Sequence, residues 1–341
     1  MTAKAEGNGH GAPAKEATSA LTSCFAYSFL SISMVLSNKS LAATYQADLE
    51  VLPVVFQCVV AVVLVEGARR LGYVSYEPFN WQTALQWLPV NVFFCSMLYS
   101  GFMALRYMNV PIVTVFKNLT NILVVWGDWY INSQKVSILI VGSLAVTTGG
   151  AVMAACNDIQ FSPWGYFWMC ANCVSCAGYV LYMKFATKSI KLPKFGMVFY
   201  NNLLGMCLLT PAALMRGEMH ELLANQSLHS MGYAGLNFFA GCVGFMLNFA
   251  SLWCVSATSA TTYAIVGAMN KVPTSVLGYF MFKSPISRET AIYICVSILG
   301  GLMYSMAKIR EQRQRDKEPK AAPTAEMASL MGNGQNGANK V

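Results

Sequence analysis

Two lysines stand near the centres of long apolar runs: Lys117 in VFKNLTN and Lys271 in VGAMNKVPTS. A charged side chain at mid-bilayer costs at least about 3 kcal/mol on insertion scales. Each ammonium therefore calls for a counter-charge, and a protein carboxylate would be the ordinary one. No Asp or Glu lies near the centre of any apolar run; Glu66 is near the end of its run. Asp128 falls about three helical turns from Lys117. An anionic ligand from outside the chain is the economical partner. The neighbouring residue types fit such a ligand. Asn118 and Asn121 flank Lys117, Asn270 precedes Lys271, and Asn201 and Asn202 stand side by side in FYNN, after Phe199 and Tyr200. An amide offers both a donor and an acceptor, which suits the edge of a nucleobase. Adjacent asparagines face different directions on a helix, so at least one of the pair looks inward.

Other polar residues within the runs are Tyr27, Asn38, Lys39, Asn172, Asn248 and Tyr263. An intramembrane Asn also serves to bridge two helices, and that reading stays open for Asn172 and Asn248. Lys39 is expected to snorkel to the interface. Tyr27 and Tyr263 also fit ordinary packing.

The elements that must position these groups are membrane helices. The chain has 341 residues, 55% hydrophobic and 11% charged, against about 25% charged in a typical soluble domain. A helical span needs about 20 mostly apolar residues. Ten runs qualify, near 20–37, 52–68, 84–105, 109–130, 136–156, 162–184, 194–215, 231–255, 259–282 and 287–307. The expected fold is an all-α polytopic membrane protein. Within the ninth run, Pro273 removes a helix donor two residues after Lys271, and Gly267 loosens the turn before it. The segment 267–273 is expected to kink and open backbone groups to a cavity. Residues 1–19 and 308–341 are polar and expected to be disordered tails.

Charge sets the expected orientation. With ten spans both termini share a side. That side carries Lys4, Lys15, Arg69, Arg70, Lys135, Lys184, Lys188, Lys191, Lys194 and the C-terminal Lys308, Arg310, Arg313, Arg315, Lys317, Lys320 and Lys340. The other side carries Lys39, Arg106, Arg216, Lys283 and Arg288. The positive-inside rule places both termini in the cytosol. It also accounts for the net charge of +8 without a nucleic-acid partner. A faint repeat at an offset of 151 pairs Gly127 with Gly278, Ser133 with Ser284, and Gly149-Gly150 with Gly300-Gly301. Two five-span halves, 20–156 and 157–307, follow. The odd count inverts one half relative to the other, a recurring transporter architecture with substrate bound near the midplane.

Several classes are disfavoured. The eleven cysteines lie nearly all in apolar runs and are expected to pack as small hydrophobes. Cys170, Cys173 and Cys176 share helical spacing, yet no histidine in a span offers a fourth ligand, so no metal or other cofactor is expected. Missing intramembrane acids argue against proton or sodium coupling and favour anion exchange or facilitated transport. They also weaken an enzyme reading, since no acidic pair, Ser/His/Asp set or Gly-rich phosphate loop stands out.

FYNN, GAMNK at 267–271 and VFKNLTN together resemble the nucleotide-sugar transporters of the drug/metabolite transporter superfamily. The resemblance is greatest to the Golgi GDP-mannose transporters, whose GALNK motif has Leu where Met269 stands here. WCVSATSATTYAIVGAMNK (253–271) and the spacing from Tyr27 to the SNK at 37–39 are similar too, and the likeness covers about residues 20–307. It implies ten helices and alternating access, with lumenal GMP exchanged for cytosolic GDP-mannose. It also implies that Asn201 and Asn202 read guanine, and that Gly267, Ala268, Asn270 and Lys271 line the sugar and phosphate end. Tyr27, Tyr263, Asn172 and Asn248 are further transfers from the family. Other GDP-sugars, such as GDP-arabinose or GDP-fucose, stay open as substrates. A carrier of another phosphorylated solute (a UDP-sugar or triose phosphate) and a membrane-embedded glycosyltransferase are the alternative readings. Oligomeric state is open: Gly149, Gly150, Gly300 and Gly301 suit close helix contact, within one chain or in a homodimer. Asn225-Gln-Ser227 is an N-glycosylation sequon expected to face the lumen.

Overall fold

A computed structural model describes residues 11–44, 49–132, 136–258, 260–283 and 285–317. Residues 1–10 and 318–341 of the expected tails, and the Ser133–Ser284 pair of the repeat, lie outside them. Among the described residues every regular element is helical: α1 (Gly11–Thr44), α2 (Leu52–Arg70), α3 (Trp81–Tyr107), α4 (Val110–Phe116), α5 (Thr120–Asn132), α6 (Ile138–Cys156), α7 (Pro163–Ser189), α8 (Lys194–Met215), α9 (Glu218–Ala224), α10 (Met231–Ala257), α11 (Ala260–Met269), α12 (Lys271–Phe282) and α13 (Arg288–Lys317). A helix satisfies its backbone within itself, as hydrocarbon demands. Eight segments are long and apolar enough to cross a membrane: α1, α2, α3, the α4–α5 run, α6, α8, α10 and α13. The more polar α7 and the split pair α11–α12 complete the bundle. Two helices outrun their expected limits. α1 begins at Gly11, inside the expected N-terminal tail, and α13 continues to Lys317 because IREQRQRDK is rich in good helix formers.

Local signals set the helix starts. Asn80 caps α3 by accepting from the N–H groups of Gln82 and Thr83, Ser162 caps α7 ahead of Pro163, and Ser230 caps α10. Two spans are broken near their middles. Between α4 and α5 a 3₁₀ turn covers Lys117–Leu119, and α11 gives way to α12 at Asn270. At the second break, Pro273 has no N–H to offer the carbonyl of Met269, four residues back.

Packing contacts give the helices a common sense of direction. Tyr99 and Arg106 of α3, and Arg216 just past α8, all reach Glu50 just before α2. Gly165 of α7 abuts Met108, and Gly278 of α12 abuts Val110. These ends define one face of the bundle, the far face. On the opposite face Cys24 of α1 meets Cys254 of α10 at 3.5 Å, and Asp128 of α5 pairs with Lys184 of α7 at 2.7 Å. Tyr304 of α13 packs beside Val125 and Ile140 there. This near face therefore carries the start of α1 and the end of α13.

Small residues bring helices together inside the chain. A Cβ on Gly150 would sit 2.7 Å from the backbone nitrogen of Ser297, and one on Gly300 would sit 2.6 Å from that of Thr147. A Cβ on Gly301 would press on the Asn118 amide. Three of the four glycines thus serve contacts within one chain, with α6 and α13 in backbone-level contact. Large apolar side chains such as Phe29, Val63, Phe185 and Phe280 are exposed on the outside. Trp126, Trp129 and Tyr130 gather at the end of α5, where amphipathic rings suit a membrane interface.

The far face is shut by a buried polar cluster. Glu218, 1% exposed, accepts from the backbone N–H groups of Glu50, Val51 and Leu52 at 3.1, 3.0 and 2.8 Å. These are donors at the start of α2 that lack helical partners. Arg216 joins Glu218 to Glu50, which also meets Arg106 and accepts from Tyr99 Oη. Lys39 corrects an expectation. It does not snorkel outward but is buried, its ammonium donating to the carbonyls of Leu105 and Met108 at 2.7 and 2.9 Å. Those carbonyls end α3, and a cation there complements the helix terminus.

Candidate functional site

Near the near face, α3, α7, α8 and α10 leave a cleft of about 230 Å³ between them. Its lining includes Phe94, Tyr179, Lys194, Asn201, Asn202, Asn248 and Ser251, and holds no carboxylate. The two FYNN asparagines play different parts. Asn201 is 5% exposed and fully engaged: Trp87 Nε1–H donates to its Oδ1 at 2.8 Å, and its Nδ2 donates to Tyr179 Oη at 2.9 Å. Asn91 Nδ2 also donates to its backbone carbonyl at 2.8 Å. Asn202, one residue and about 100° further round α8, is half-buried. Its Nδ2 donates to the Val198 carbonyl at 2.8 Å, which leaves Oδ1 available as an acceptor. Asn248 likewise donates to the carbonyl of Gly244 in its own helix, at 2.9 Å.

Deeper in the bundle lie the two broken spans and their lysines. Lys271 donates to Asn118 Oδ1. Lys117 is exposed although it sits at mid-span, and among the described residues it has neither a hydrogen bond nor an ion pair. The two ammonium groups are within electrostatic reach of each other and of the Cys176 thiol. Cys176 precedes Tyr179 by one turn on the same face of α7, so this helix links the lysines to the cleft. Nδ2 of Asn118 and Nδ2 of Asn270 are buried without a partner, which adds two idle donors to the two cations. Buried polar groups are ordinarily satisfied, so the middle of the bundle is short of acceptors. Every feature of it favours an incoming anion.

The remaining predicted residues fall into two groups. Tyr27 and Tyr263 pack with ring centroids 4.6 Å apart and their planes tilted by 41°, and a Cβ on Gly267 would come within 3.1 Å of Tyr27 Oη. Gly267 and the buried Ala268 therefore lie on the helix that carries this pair toward Lys271. Phe199, Tyr200 and Asn172, by contrast, are given packing roles. Phe199 lies 5.2 Å from Tyr76, and Tyr200 Oη accepts from the Asn80 N–H at 2.8 Å. Asn172 bridges α7 to α3 by donating to the Met97 carbonyl at 2.7 Å. Sequence reasoning missed Tyr179, Trp87 and Lys194. Trp87, Asn91 and Phe94 recur at helical spacing on α3, and Tyr179 shares a face with Cys176; those periodicities were the available signal.

Comparison with known sequences gives the family. Residues 18–305 match the profile of the Triose-phosphate Transporter family. The chain belongs to that family. It is a family of transporters, and enzymes are not its members' calling. Curated relatives in the family include the GDP-mannose transporter GONST1 of Arabidopsis thaliana, 32% identical over 307 residues, covering 88% of this chain and 92% of the relative. The GDP-mannose transporter of Komagataella pastoris is 32% identical over 316 residues, covering 90% and 95%. That of Schizosaccharomyces pombe is 31% identical over 300 residues, covering 85% and 87%.

Proposed function

We propose that this chain is a GDP-mannose transporter of the Golgi membrane, exchanging GDP-mannose for GMP by alternating access. The observation that carries the proposal is the pair Lys117 and Lys271: two mid-span ammonium groups with no carboxylate partner among the described residues. A diphosphate supplies the missing charge through charge-assisted hydrogen bonds, and the amide-lined cleft above takes the guanine. Lys271, Asn270, Gly267 and Ala268 then stand at the phosphate and sugar end, with Lys117 and Asn118 behind them. Asn202 and Asn248 stand at the base end, and Tyr27 and Tyr263 flank the sugar. The names and near-complete coverage of the curated relatives support the substrate. A triose phosphate has no base to occupy the cleft.

Ten spans in a 5+5 inverted repeat are the architecture we assign, with cytosolic termini. Two features support it. The broken spans, 110–132 and 260–282, nearly superimpose under the offset of 151. The contacts of Gly150 with Ser297 and of Gly300 with Thr147 exchange under a shift of 150, as a two-fold relation requires. With this orientation the cleft faces the cytosol and the Glu50–Arg216–Glu218 cluster closes the lumenal end. Asn225 then faces the lumen, its Oδ1 already accepting from Ser227 Oγ at 2.7 Å.

Counter-flow in protein-only liposomes tests the function. GMP-loaded vesicles should accumulate radiolabelled GDP-mannose intact. Chemical conversion of the label, or equal uptake with vesicles preloaded with inorganic phosphate, would sink the proposal.

A further inference from the structure

The base end of the cleft holds a group that no sequence motif marks, and two hydrogen bonds show where its proton does not go. The chain starts at Trp87, whose indole N–H can only donate. The Asn201 atom that it meets at 2.8 Å is therefore the carbonyl oxygen, and the other end of that amide is NH₂. This NH₂ donates to Tyr179 Oη at 2.9 Å. The Tyr179 oxygen is thus an acceptor in that contact, and its own O–H proton points elsewhere. Among the described residues that proton has no acceptor, and Tyr179 lines the cleft beside Asn202. Asn202 is poised in the opposite sense, with NH₂ committed to the Val198 carbonyl and Oδ1 left to accept. The wall of the cleft formed by α7 and α8 therefore offers one donor, the Tyr179 hydroxyl, and one acceptor, Asn202 Oδ1.

We propose that Tyr179 is a specificity-determining residue of the base site, donating its hydroxyl proton to O6 of guanine while Asn202 Oδ1 accepts from the guanine N1–H and N2–H₂ edge. Asn201 and Trp87 are positioning residues that act through Tyr179. This inference rests on the GDP-mannose reading above. Guanine sets an acceptor, O6, beside a donor, N1–H, and so matches the wall. With the base held in the same orientation by its ribose and diphosphate, adenine and cytosine set an amino donor where guanine has O6 and a bare ring nitrogen where it has N1–H, which opposes donor to donor and acceptor to acceptor. A site built to hydrogen-bond one pattern leaves its own buried groups unpaired with the other. Uracil repeats the guanine order on a single ring without the amine, so this pair selects against adenine and cytosine rather than uracil. Phe94, with its ring 5.7 Å from that of Tyr179, supplies an apolar flank for the larger base.

The test uses GMP and 6-thioguanosine 5′-monophosphate, which keeps N1–H and N2–H₂ but carries a weakly accepting sulfur in place of O6, as inhibitors of GDP-mannose uptake into liposomes. Wild-type protein should bind the analogue at least about threefold more weakly than GMP. Tyr179→Phe should weaken GMP by about five- to tenfold and the analogue by about twofold or less, since the lost donor has only a weak sulfur acceptor on it. Equal weakening of both probes would show a tyrosine that only props the helices, and would overturn the proposal. So would an unchanged response to GMP. Should Tyr179→Phe fail to fold, equal inhibition of the wild type by GMP and its 6-thio analogue overturns it and a preference for GMP of about threefold or more sustains it. Asn202→Ala separates the levels of failure. If it weakens GMP and Tyr179→Phe does not, the tyrosine assignment alone falls; if neither does, the base site itself is misplaced.

Discussion

Two charged regions of this molecule are built on opposite plans. At the far face Glu50, Arg106, Arg216 and Glu218 answer one another, and Glu218 also satisfies the start of α2. At mid-bundle Lys117 and Lys271 have no carboxylate partner among the described residues, and the idle amides of Asn118 and Asn270 stand beside them. The first set is complete within the chain, so its electrostatic energy is released on folding and goes into stability. Under the function proposed above, the second is completed only by an incoming anion, and its energy is then released on binding. Charge matched inside the polypeptide holds a structure; charge left unmatched selects a cargo.

Substitutions can break or sharpen this contrast. The largest effect is expected from Lys271→Ala, which removes a charge-assisted contact to phosphate worth about 1.5–3 kcal/mol. GDP-mannose counter-flow should fall about a hundredfold while the detergent-purified variant stays monodisperse. Uptake at the wild-type rate would erase the distinction between the two regions. Glu218→Gln should act on the other side of the comparison. Breaking a buried ionic cluster by removing one partner costs about 3 kcal/mol or more. Its thermal midpoint should drop, while the upward shift produced by saturating GMP persists.

Lys117→Met offers a sharper contrast because it predicts the opposite sign. Losing an unpaired mid-span charge should raise the ligand-free midpoint by the equivalent of about 1 kcal/mol or more, and shrink the GMP-induced shift. A lower ligand-free midpoint would mean that the lysine is already neutralised at home. The smallest effect belongs to Lys194, exposed at the mouth of the cleft. Lys194→Ala should raise the KM for GDP-mannose about threefold at low salt, with kcat unchanged, and the difference should vanish at high salt as screening takes over. A salt-independent change would place Lys194 in direct contact with bound substrate.

Much of the mid-bundle region was legible before any coordinates. Lys117 and Lys271 are conspicuous because their neighbours are apolar, and Pro273 announces the break that the structure places at Asn270. The far-face cluster was not legible. Glu218 looks like a loop acid beside Arg216, and its burial follows only from donors 166 to 168 residues away. Lys39 misled for the same reason, since the carbonyls that hold it end a helix distant in the chain. Asn201 and Asn202 were expected to share a role, and the structure divides them.

The sequence by itself determined that the chain is a bundle of apolar helices, that one of its spans breaks near Lys271, and that no acid sits near either mid-span lysine to meet the charge; the other break, at Lys117, came only with the structure. The first three are properties of composition and of local covalent constraint, such as a proline that has no proton to give. Only the tertiary structure decided which asparagine keeps an acceptor free in the cleft, that Tyr179 accepts from Asn201 rather than donating to it, and which glutamate becomes buried. A helix turns about 100° per residue, and its rotational phase is settled by the neighbours it packs against rather than by its own residues.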